Sequence, residues 1–328
     1  MISPRFDLAV FAGPAVVALA LVPFGRFFAE ELPLPMWVIA VLLVDVAHVH
    51  ATWFVTYLDR EARRRHRIWL LGVPPMAFVA GAAVASASIP LFWTLLAYVA
   101  VFHFMRQQVG WVALYQRAET DLGRFERFFE RFLVYSATGV PVLWWHAHLP
   151  RAYHWFLPGD FVEGIVAASV ANFALAIYLA LLALWLARTT GKLIAGRPMS
   201  LGKVVVISTT AATWGVGIIA TNSDWAFTLT NVLVHGVPYT AYVYARSRRV
   251  FGLRVGLPLY AGALVALAYG EEWLWDRAIW RENTVLFPGP EWLGDDMTPW
   301  LLGLLVVPQL SHYVIDGVIW RRRRPRTC

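Results

Sequence analysis

The most constraining feature of this chain is a succession of apolar runs that recurs from its beginning to its end. A run of about 18 or more apolar residues is typical of a transmembrane helix. Of the 328 residues, 59% are hydrophobic and only 15% are charged, which is too little charge to cover the surface of a soluble domain of this length. The sequence therefore predicts an all-α, polytopic transmembrane helix bundle that forms a single domain over residues 1–328.

The apolar runs predict about ten spans, at residues 8–28, 34–58, 68–86, 91–115, 128–147, 161–187, 203–221, 225–245, 255–273 and 298–320. The run at 8–24 lacks a convincing small-residue cleavage site, so we expect the first span to be retained. Alternate loops are basic, which is typical of the cytoplasmic side: 59–67, 116–131, 188–203, 246–254 and the tail from Arg321. Three of the loops between them carry an excess of acids: 29–33 contains Glu30 and Glu31, 222–224 reads NSD, and 274–297 has more acids than bases. Both termini are therefore predicted to be cytoplasmic.

The net charge of +7 does not indicate a nucleic-acid partner, because the basic residues lie in short clusters between apolar runs and act as topology signals. We expect an integral protein of a bacterial inner membrane whose surroundings are membrane lipids. The only cysteine is Cys328, so a disulfide framework and a thiolate-rich metal site within one chain are both excluded.

Five of the nine histidines lie inside predicted spans, where an ionisable group is costly and marks function by default. Four of these spans run in the same direction, so the depth of each histidine can be compared by counting residues to the next cytoplasmic arginine. At a rise of about 1.5 Å per residue, His48, His103, His235 and His312 all lie about 13–21 Å from the inner boundary. Four imidazoles on four helices thus share one slab of the bilayer, which predicts a transition-metal site.

A polar side chain lies one helical turn from each of the four histidines: Asp45, Gln107, Asn231 and Asp316. Residues three or four apart share a helix face, and a metal-ligating imidazole usually donates its second N–H to such a group. We therefore predict that these side chains orient the imidazoles, with direct ligation by Asp45 or Asp316 left open. His50 is a further candidate ligand, although it faces nearly the opposite side of the helix from His48.

The histidines outside the spans are expected to have structural roles. His66 lies in a basic loop, and His146, His148 and His154 lie in the outer segment WWHAHLPRAYHW. The H-x-H pattern there is a candidate metal motif, but an aromatic segment at the membrane interface is the favoured interpretation.

Imidazole ligands without thiolates suit iron, copper, zinc or nickel. A buried site within an apolar bundle suits an apolar substrate, and unactivated C–H or C=C bonds require an oxidant. The residues therefore favour non-haem Fe(II) with O2 as co-substrate, and copper or zinc as the alternative metals.

Four short stretches resemble motifs of the bacterial Brp/Blh membrane β-carotene dioxygenases. DVAHVHAT is similar to their GLPHGALD-type segment through His48, and FHFMRQQ is similar to their IHF-type segment through His103. PQLSHYVIDGVIWR is similar to their PH-x-x-x-x-D segment through His312, Asp316 and Arg321. VHGVPYTAYVY sits where the family has H-x-x-x-H, and Tyr239 replaces the second histidine after His235.

The resemblance implies a distantly related iron oxygenase with a carotenoid-like or other isoprenoid substrate. The family holds its iron with four histidines, of which three are clearly matched here. The fourth ligand, which has no matching histidine at the family's position, would then be His312 or a water molecule. By contrast, the H-x-x-x-H and H-x-x-H-H boxes of membrane desaturases with two irons do not occur in the sequence.

Two further residues are predicted to act in catalysis. Arg106, an intramembrane cation near His103, could meet a polar head of the substrate, or pair with Asp45, Asp224 or Asp316 as a structural ion pair. Tyr239 lies one turn from His235, where it could hydrogen-bond an oxygen species or simply pack with its hydroxyl satisfied across helices.

Two rival functions use the same residues. Intramembrane histidines and acids also build transporters and proton pathways, and histidines on neighbouring spans are the axial ligands of b-type haem proteins.

Overall fold

The computed structural model describes residues 3–28, 32–119, 122–251, 256–290 and 297–320, and within these ranges it contains helices, turns and loops but no strand. The predicted all-α fold is confirmed for this part of the chain. Several residues used in the topology prediction lie outside the described residues: Glu30, Glu31, Arg254, Arg321 and the rest of the tail to Cys328.

Ten long helices and one short one follow each other in the described ranges. They are α1 (Pro4–Phe27), α2 (Leu34–Val55), α3 (Arg60–Arg65), α4 (Arg67–Ala87), α5 (Ile89–Ala118), α6 (Arg124–Ala147), α7 (Ala168–Ile194), α8 (Leu201–Ala220), α9 (Asp224–Phe251), α10 (Leu257–Trp275) and α11 (Thr298–Ile319). The short helix α3 is capped by Asp59, whose carboxylate accepts hydrogen bonds from the backbone amides of Glu61 at 2.8 Å and Ala62 at 3.3 Å. A helix thus lies at each of the ten predicted positions.

The predicted first residue of the sixth span is wrong. The sequence predicts a span that begins at residue 161, but α7 begins at Ala168 and continues to Ile194. The carboxylate of Asp160 accepts hydrogen bonds from three backbone amides, those of Trp155, Phe156 and Leu157, and Gly164 has a φ of +73°. These local bonds and the left-handed glycine hold residues 148–167 as a loop, because they replace the hydrogen bonds that a helix would form.

Seven of the helices are long and apolar enough to cross a membrane: α1, α2, α4, α5, α7, α8 and α11. This set is compatible with an integral membrane protein. Helix α6 does not qualify, because its first two turns carry the charged residues Arg124, Glu126, Arg127, Glu130 and Arg131. The count of ten spans therefore stays a prediction.

By their contacts, the residues group into two compact units, one comprising residues up to Val41 and Thr94–Pro238, the other Leu42–Trp93 and the residues from Tyr239 onward. The divisions fall inside α2, α5 and α9. The prediction of one domain stays a prediction.

The core of the first unit is largely aromatic. Its buried members include Phe104, Trp145, Tyr153, Trp214 and Phe227. Edge-to-face and stacked contacts join them, such as Trp145 with Phe227 at 5.0 Å and Tyr153 with Phe227 at 4.7 Å between ring centroids. Rings in these geometries attract one another beyond the area they bury, so this cluster fixes the loop 148–167 against α5, α6 and α9.

In the second unit, α4 and α11 approach each other through small residues. A Cβ atom on Gly303 would lie 2.7 Å from the backbone nitrogen of Ala82, and one on Gly81 would lie 3.1 Å from the Cα of Gly303. Small residues at such a crossing allow backbones to approach closely, which is a common way to pack membrane helices. The contact therefore depends on the absence of a side chain at both glycines.

Replacement of Gly303 with alanine is expected to destabilise the protein by about 1–3 kcal/mol, because the added methyl group would have to displace the backbone of α4. Gly262→Ala on α10 is the matched control, since no atom lies within 4 Å of its added Cβ. Thermal unfolding in detergent would measure both variants. Equal melting temperatures for the two variants would contradict the close packing of α4 and α11.

Candidate metal centre

The second unit contributes two of the predicted histidines, His48 from α2 and His312 from α11. Both are buried, and their ring centroids lie 4.9 Å apart at an interplanar angle of 81°. Nδ1 of His48 donates a hydrogen bond to the backbone carbonyl of Asp45. A carbonyl oxygen only accepts, so Nδ1 carries the proton and the lone pair of Nε2 is directed away from this bond.

The predicted role of the Asp45 side chain is wrong in its detail. Its Oδ1 atom lies 3.5 Å from Nδ1 of His48, whereas the carbonyl of the same residue makes the hydrogen bond. Backbone carbonyls orient metal-ligating imidazoles as carboxylates do. The residue is thus in the predicted place, but its main chain orients the ring.

A chain of hydroxyl groups orients His312. Nδ1 of His312 lies 2.7 Å from Oγ1 of Thr52, which lies 2.7 Å from the hydroxyl of Tyr239. The Tyr239 hydroxyl donates its only proton to Oδ1 of Asp316 at 2.6 Å. Thr52 has a single proton, and its possible acceptors are Oδ1 of Asp316 at 3.4 Å and the Tyr239 oxygen. With either acceptor, the Thr52 oxygen accepts from Nδ1 of His312, which again leaves the lone pair on Nε2.

Two predicted roles are corrected by this chain. Asp316 does not bond to His312 directly, since its Oδ1 is 3.8 Å from Nδ1, and Thr52 bridges the gap. Tyr239 contacts the rings of His48 and His312 at centroid distances of 5.8 Å and 5.2 Å, and its hydroxyl is used by Asp316 and Thr52. Of the two roles predicted for Tyr239, satisfaction of the hydroxyl across helices is the one observed.

Thr52 was missed by the sequence analysis. It lies four residues after His48, on the same helix face, and this spacing could have identified it. A threonine in a transmembrane helix usually bonds a carbonyl of its own helix, as Thr56 does with Thr52 at 2.6 Å. The partners of the Thr52 hydroxyl are instead on α9 and α11, and no spacing within one helix predicts those contacts.

Replacement of Thr52 with valine is expected to lower metal affinity about 10–100-fold, because the hydroxyl that fixes the ring of His312 is lost. Thr52→Ser should keep most of the affinity. Thr56→Val is the control, because the Thr56 hydroxyl bonds only its own helix among the contacts described. Titration against a chelator of known affinity would measure all three variants, and an equal affinity of Thr52→Val and wild type would remove Thr52 from the site.

The first unit contributes the other two histidines, His103 from α5 and His235 from α9. Their ring centroids lie 5.2 Å apart at 80°, and both rings are buried. Phe104 stacks on His235 with a centroid distance of 3.5 Å and an interplanar angle of 7°. Trp155 from the loop 148–167 meets Phe104 edge-on, with ring centroids 4.9 Å apart. These rings cover the imidazole of His235 and keep water from it.

The amide side chains predicted to orient this pair bond elsewhere. Nε2 of Gln107 donates to the backbone carbonyl of His235 at 2.8 Å and not to the ring of His103. Nδ2 of Asn231 donates to the carbonyl of Phe227, one turn earlier in its own helix, at 2.9 Å. Asparagine in a helix commonly makes this local bond. Gln107 therefore acts on the main chain of α9, and Asn231 on its own helix.

The loop 148–167 is held by Asp160 and, among the described residues, contributes no member of a candidate metal group. Burial raises the pKa of the Asp160 carboxyl above its ordinary value, although its bonds to the backbone amides partly oppose this shift. Nε2 of His146 lies 2.8 Å from the Tyr98 hydroxyl, and Nδ1 of His148 lies 2.8 Å from the Trp144 carbonyl. His154 is exposed. These positions agree with the interpretation that His146, His148 and His154 have structural roles and do not form a metal motif.

His48, His103, His235 and His312 lie close together: one nitrogen atom from each lies within 4.8 Å of the others, and all four residues are buried. Nitrogen ligands about 2.0–2.1 Å from a common ion in tetrahedral geometry are about 3.3–3.4 Å apart, which lies within the 4.8 Å limit on the separations of these atoms. Among the residues that the structure describes, this is the one group of three or more His, Cys, Asp or Glu found at such spacing. These four histidines could hold a metal ion.

Four residues that the sequence proposed for the site are not members of the four-histidine group. They are His50, Arg106 and the two candidate carboxylate ligands, Asp45 and Asp316. His50 directs Nε2 at Oε2 of Glu271, 2.8 Å away, and both side chains are buried. Arg106 is exposed and donates to the Tyr135 hydroxyl from α6, so it is not a buried ion pair. Neither Asp45 nor Asp316 is a member of the group.

The donor set fits a borderline transition metal, since it consists of imidazoles without thiolates. In comparisons with known proteins, no protein-family model, no curated protein and no solved structure matches the chain.

Proposed function

We propose that this protein is a membrane-embedded, O2-dependent oxygenase or oxidase that uses non-haem Fe(II) and acts on an apolar isoprenoid, carotenoid-like or other lipid substrate. The observation that carries the proposal is the group of four buried histidines with nitrogen atoms within 4.8 Å of one another. Four nitrogen donors suit Fe(II), with copper or zinc as alternatives. The apolar surroundings suit a substrate that dissolves in the bilayer.

The residues of the chain have distinct roles in this proposal. His48, His103, His235 and His312 would hold Fe(II), which when bound supplies the activation of dioxygen. The Asp45 carbonyl and Thr52 keep the protons of His48 and His312 on Nδ1. Phe104 covers His235 and excludes water from its ring.

We further propose ten spans with both termini in the cytoplasm of a bacterial cell, within the inner membrane. The support is the presence of a helix at each predicted position, together with the basic character of alternate loops. In this arrangement α2, α5, α9 and α11 all run from outside to inside, so their histidines lie at one depth.

The proposed relationship is a distant one to the Brp/Blh dioxygenases. Its support is the order of the motifs around His48, His103, His235 and His312 in the sequence. At the position of the missing family histidine, Tyr239 bonds Asp316. His312 is a member of the four-histidine group, which supports its assignment to the vacant ligand role.

Elemental analysis of the purified protein, reconstituted anaerobically with Fe(II), tests the metal proposal. We expect one iron per chain and no Soret band, because haem gives an intense visible spectrum and non-haem iron does not. Oxygen uptake with β-carotene or squalene as isoprenoid probes then tests the reaction class. Failure to retain any metal would overturn the proposal, and uptake unaffected by either probe would exclude these substrates.

A transporter or proton-pathway protein is the second candidate, and the buried pair of His50 and Glu271 favours it, because such pairs mark proton relays in membranes. Proton flux into proteoliposomes in the absence of metal would support this candidate. A b-type haem protein fits less well, since four imidazole nitrogens within 4.8 Å would occupy the place of the porphyrin nitrogens.

A further inference from the structure

Arg106 is an exposed cation in the middle of an apolar helix. It lies in α5, which qualifies as a membrane span over Ile89–Ala118. At about 1.5 Å per residue it is about 16 Å from Arg117 and about 25 Å from Ile89 along the helix. In the ten-span arrangement proposed above, this position lies within the hydrocarbon layer, where an exposed charge is costly and requires a polar partner.

The contacts of Arg106 leave most of its donors available. A guanidinium has five N–H donors, and the described contact uses Nη1 to donate to the Tyr135 hydroxyl. Large apolar side chains lie one turn away on the same two helices: Phe102 is 58% exposed and Phe132 is 46% exposed. The polar pair of Arg106 and Tyr135 thus lies next to exposed aromatic rings. Such a surface is suited to a lipid that has a compact polar head group and a long apolar chain.

Arg106 also lies close to the proposed metal centre along α5. It follows His103 by three residues, so the two side chains lie about one turn apart along the same helix. A molecule whose head binds Arg106 would place its apolar chain along the helix that carries His103. This arrangement would position a substrate without any contact between its head and the histidines.

We propose that Arg106 and Tyr135 bind the carboxylate of a long-chain lipid acid that enters from the bilayer, and that this acid is the substrate class of the protein. The proposal deepens the proposed function and rests on it. A guanidinium binds a carboxylate through two parallel hydrogen bonds, and the phenol of Tyr135 adds another polar group. In the proposed ten-span arrangement, phospholipid phosphates lie at the membrane interface and Arg106 lies within the hydrocarbon layer, which favours a lipid acid over a phosphate as its partner.

The test compares spin-labelled stearic acid with its methyl ester in bilayers that contain the purified protein. Electron paramagnetic resonance reports the fraction of each probe that the protein immobilises. We expect the acid to associate several-fold more strongly than the ester with wild type. Arg106→Met should abolish the difference, and Arg106→Lys should keep part of it, because lysine retains the charge but not the planar fork.

Arg188→Met is the matched control, since Arg188 is also exposed but lies near the end of α7. This variant should retain the preference for the acid. Equal association of acid and ester with wild type, or a full preference in Arg106→Met, would overturn the proposal. A change from dimer to monomer on crosslinking of Arg106→Met would also overturn it, because a second copy of the chain would then be the partner.

Metal content, measured on the same samples, separates this inference from the proposed function. We expect Arg106→Met to retain the metal of wild type, because its side chain is not a member of the four-histidine group. A protein that binds metal but shows no acid preference would contradict only the assignment of the substrate head. A protein that shows the acid preference without any metal would contradict the oxygenase proposal and leave the lipid-acid site standing.

Discussion

Alanine in place of His48, His103, His235 or His312 is expected to lower metal affinity by about a hundredfold or more. Four-ligand metal sites contribute roughly 10–16 kcal/mol of binding free energy, so one ligand accounts for several kcal/mol, and about 1.4 kcal/mol corresponds to a tenfold change. Competition with a chelator would give the affinity of each single variant. The four variants should behave alike, because the four nitrogens belong to one group.

His50→Ala and His146→Ala are the controls for this series. His50 is two residues from His48 but pairs with Glu271, and His146 contacts Tyr98 in the first unit. Both controls should keep the affinity of wild type. If His50→Ala lost metal as strongly as His48→Ala, the ligand set drawn from the structure would be wrong.

Replacement of Lys203 with methionine is expected to destabilise the protein by about 3–5 kcal/mol, because it leaves the buried carboxylate of Glu130 and the partly buried carboxylate of Glu119 without their cation. Nζ of Lys203 lies 2.5 Å from Oε2 of Glu119 and 2.8 Å from Oε1 of Glu130. Both Lys203 and Glu130 are 4% exposed, so water cannot take over the role of the ammonium group. Thermal unfolding in detergent would measure the loss.

The matched control removes a more accessible ion pair. Lys192 pairs with Glu126, and their side chains are 26% and 19% exposed, so Lys192→Met should cost only about 0–1 kcal/mol. Lys203→Met combined with Glu130→Gln should recover part of the stability, because the second change removes one stranded charge. An equal loss in Lys192→Met and Lys203→Met would show that burial does not decide the effect.

The helices and the four histidines could be predicted from the sequence because each depends on a pattern along the chain. Apolar runs determine where helices form in lipid, and counting along helices of predicted direction assigned His48, His103, His235 and His312 to one depth. One nitrogen atom from each of them lies within 4.8 Å of the others in the structure. The start of α7 was not predictable in the same way. Residues 161–167 are apolar enough to extend a span, but the bonds of the Asp160 side chain to backbone amides hold the preceding segment as a loop.

The hydrogen-bond partners of the histidines were harder to predict. The spacing along a helix shows which side chains share a face, but it does not show which rotamer each side chain adopts. Asn231 is four residues before His235, yet its amide bonds the carbonyl of Phe227. Gln107 is four residues after His103, yet it bonds the main chain of α9. The contact that orients His312 comes from Thr52 on another helix. Such contacts depend on how helices pack, which a single sequence does not specify.

The glycine contact between α4 and α11 has a consequence for the metal ligand on α11. Gly303 precedes His312 by nine residues, and a Cβ on Gly303 would meet the backbone of Ala82 at 2.7 Å. Two main chains in direct contact cannot yield by a change of rotamer, so a bulkier residue there would have to translate α11 along or away from α4. The imidazole of His312 would move with its helix. The height of one ligand is thus set by a contact roughly 13 Å away along the axis, and stability and metal affinity should fall together when that contact is altered.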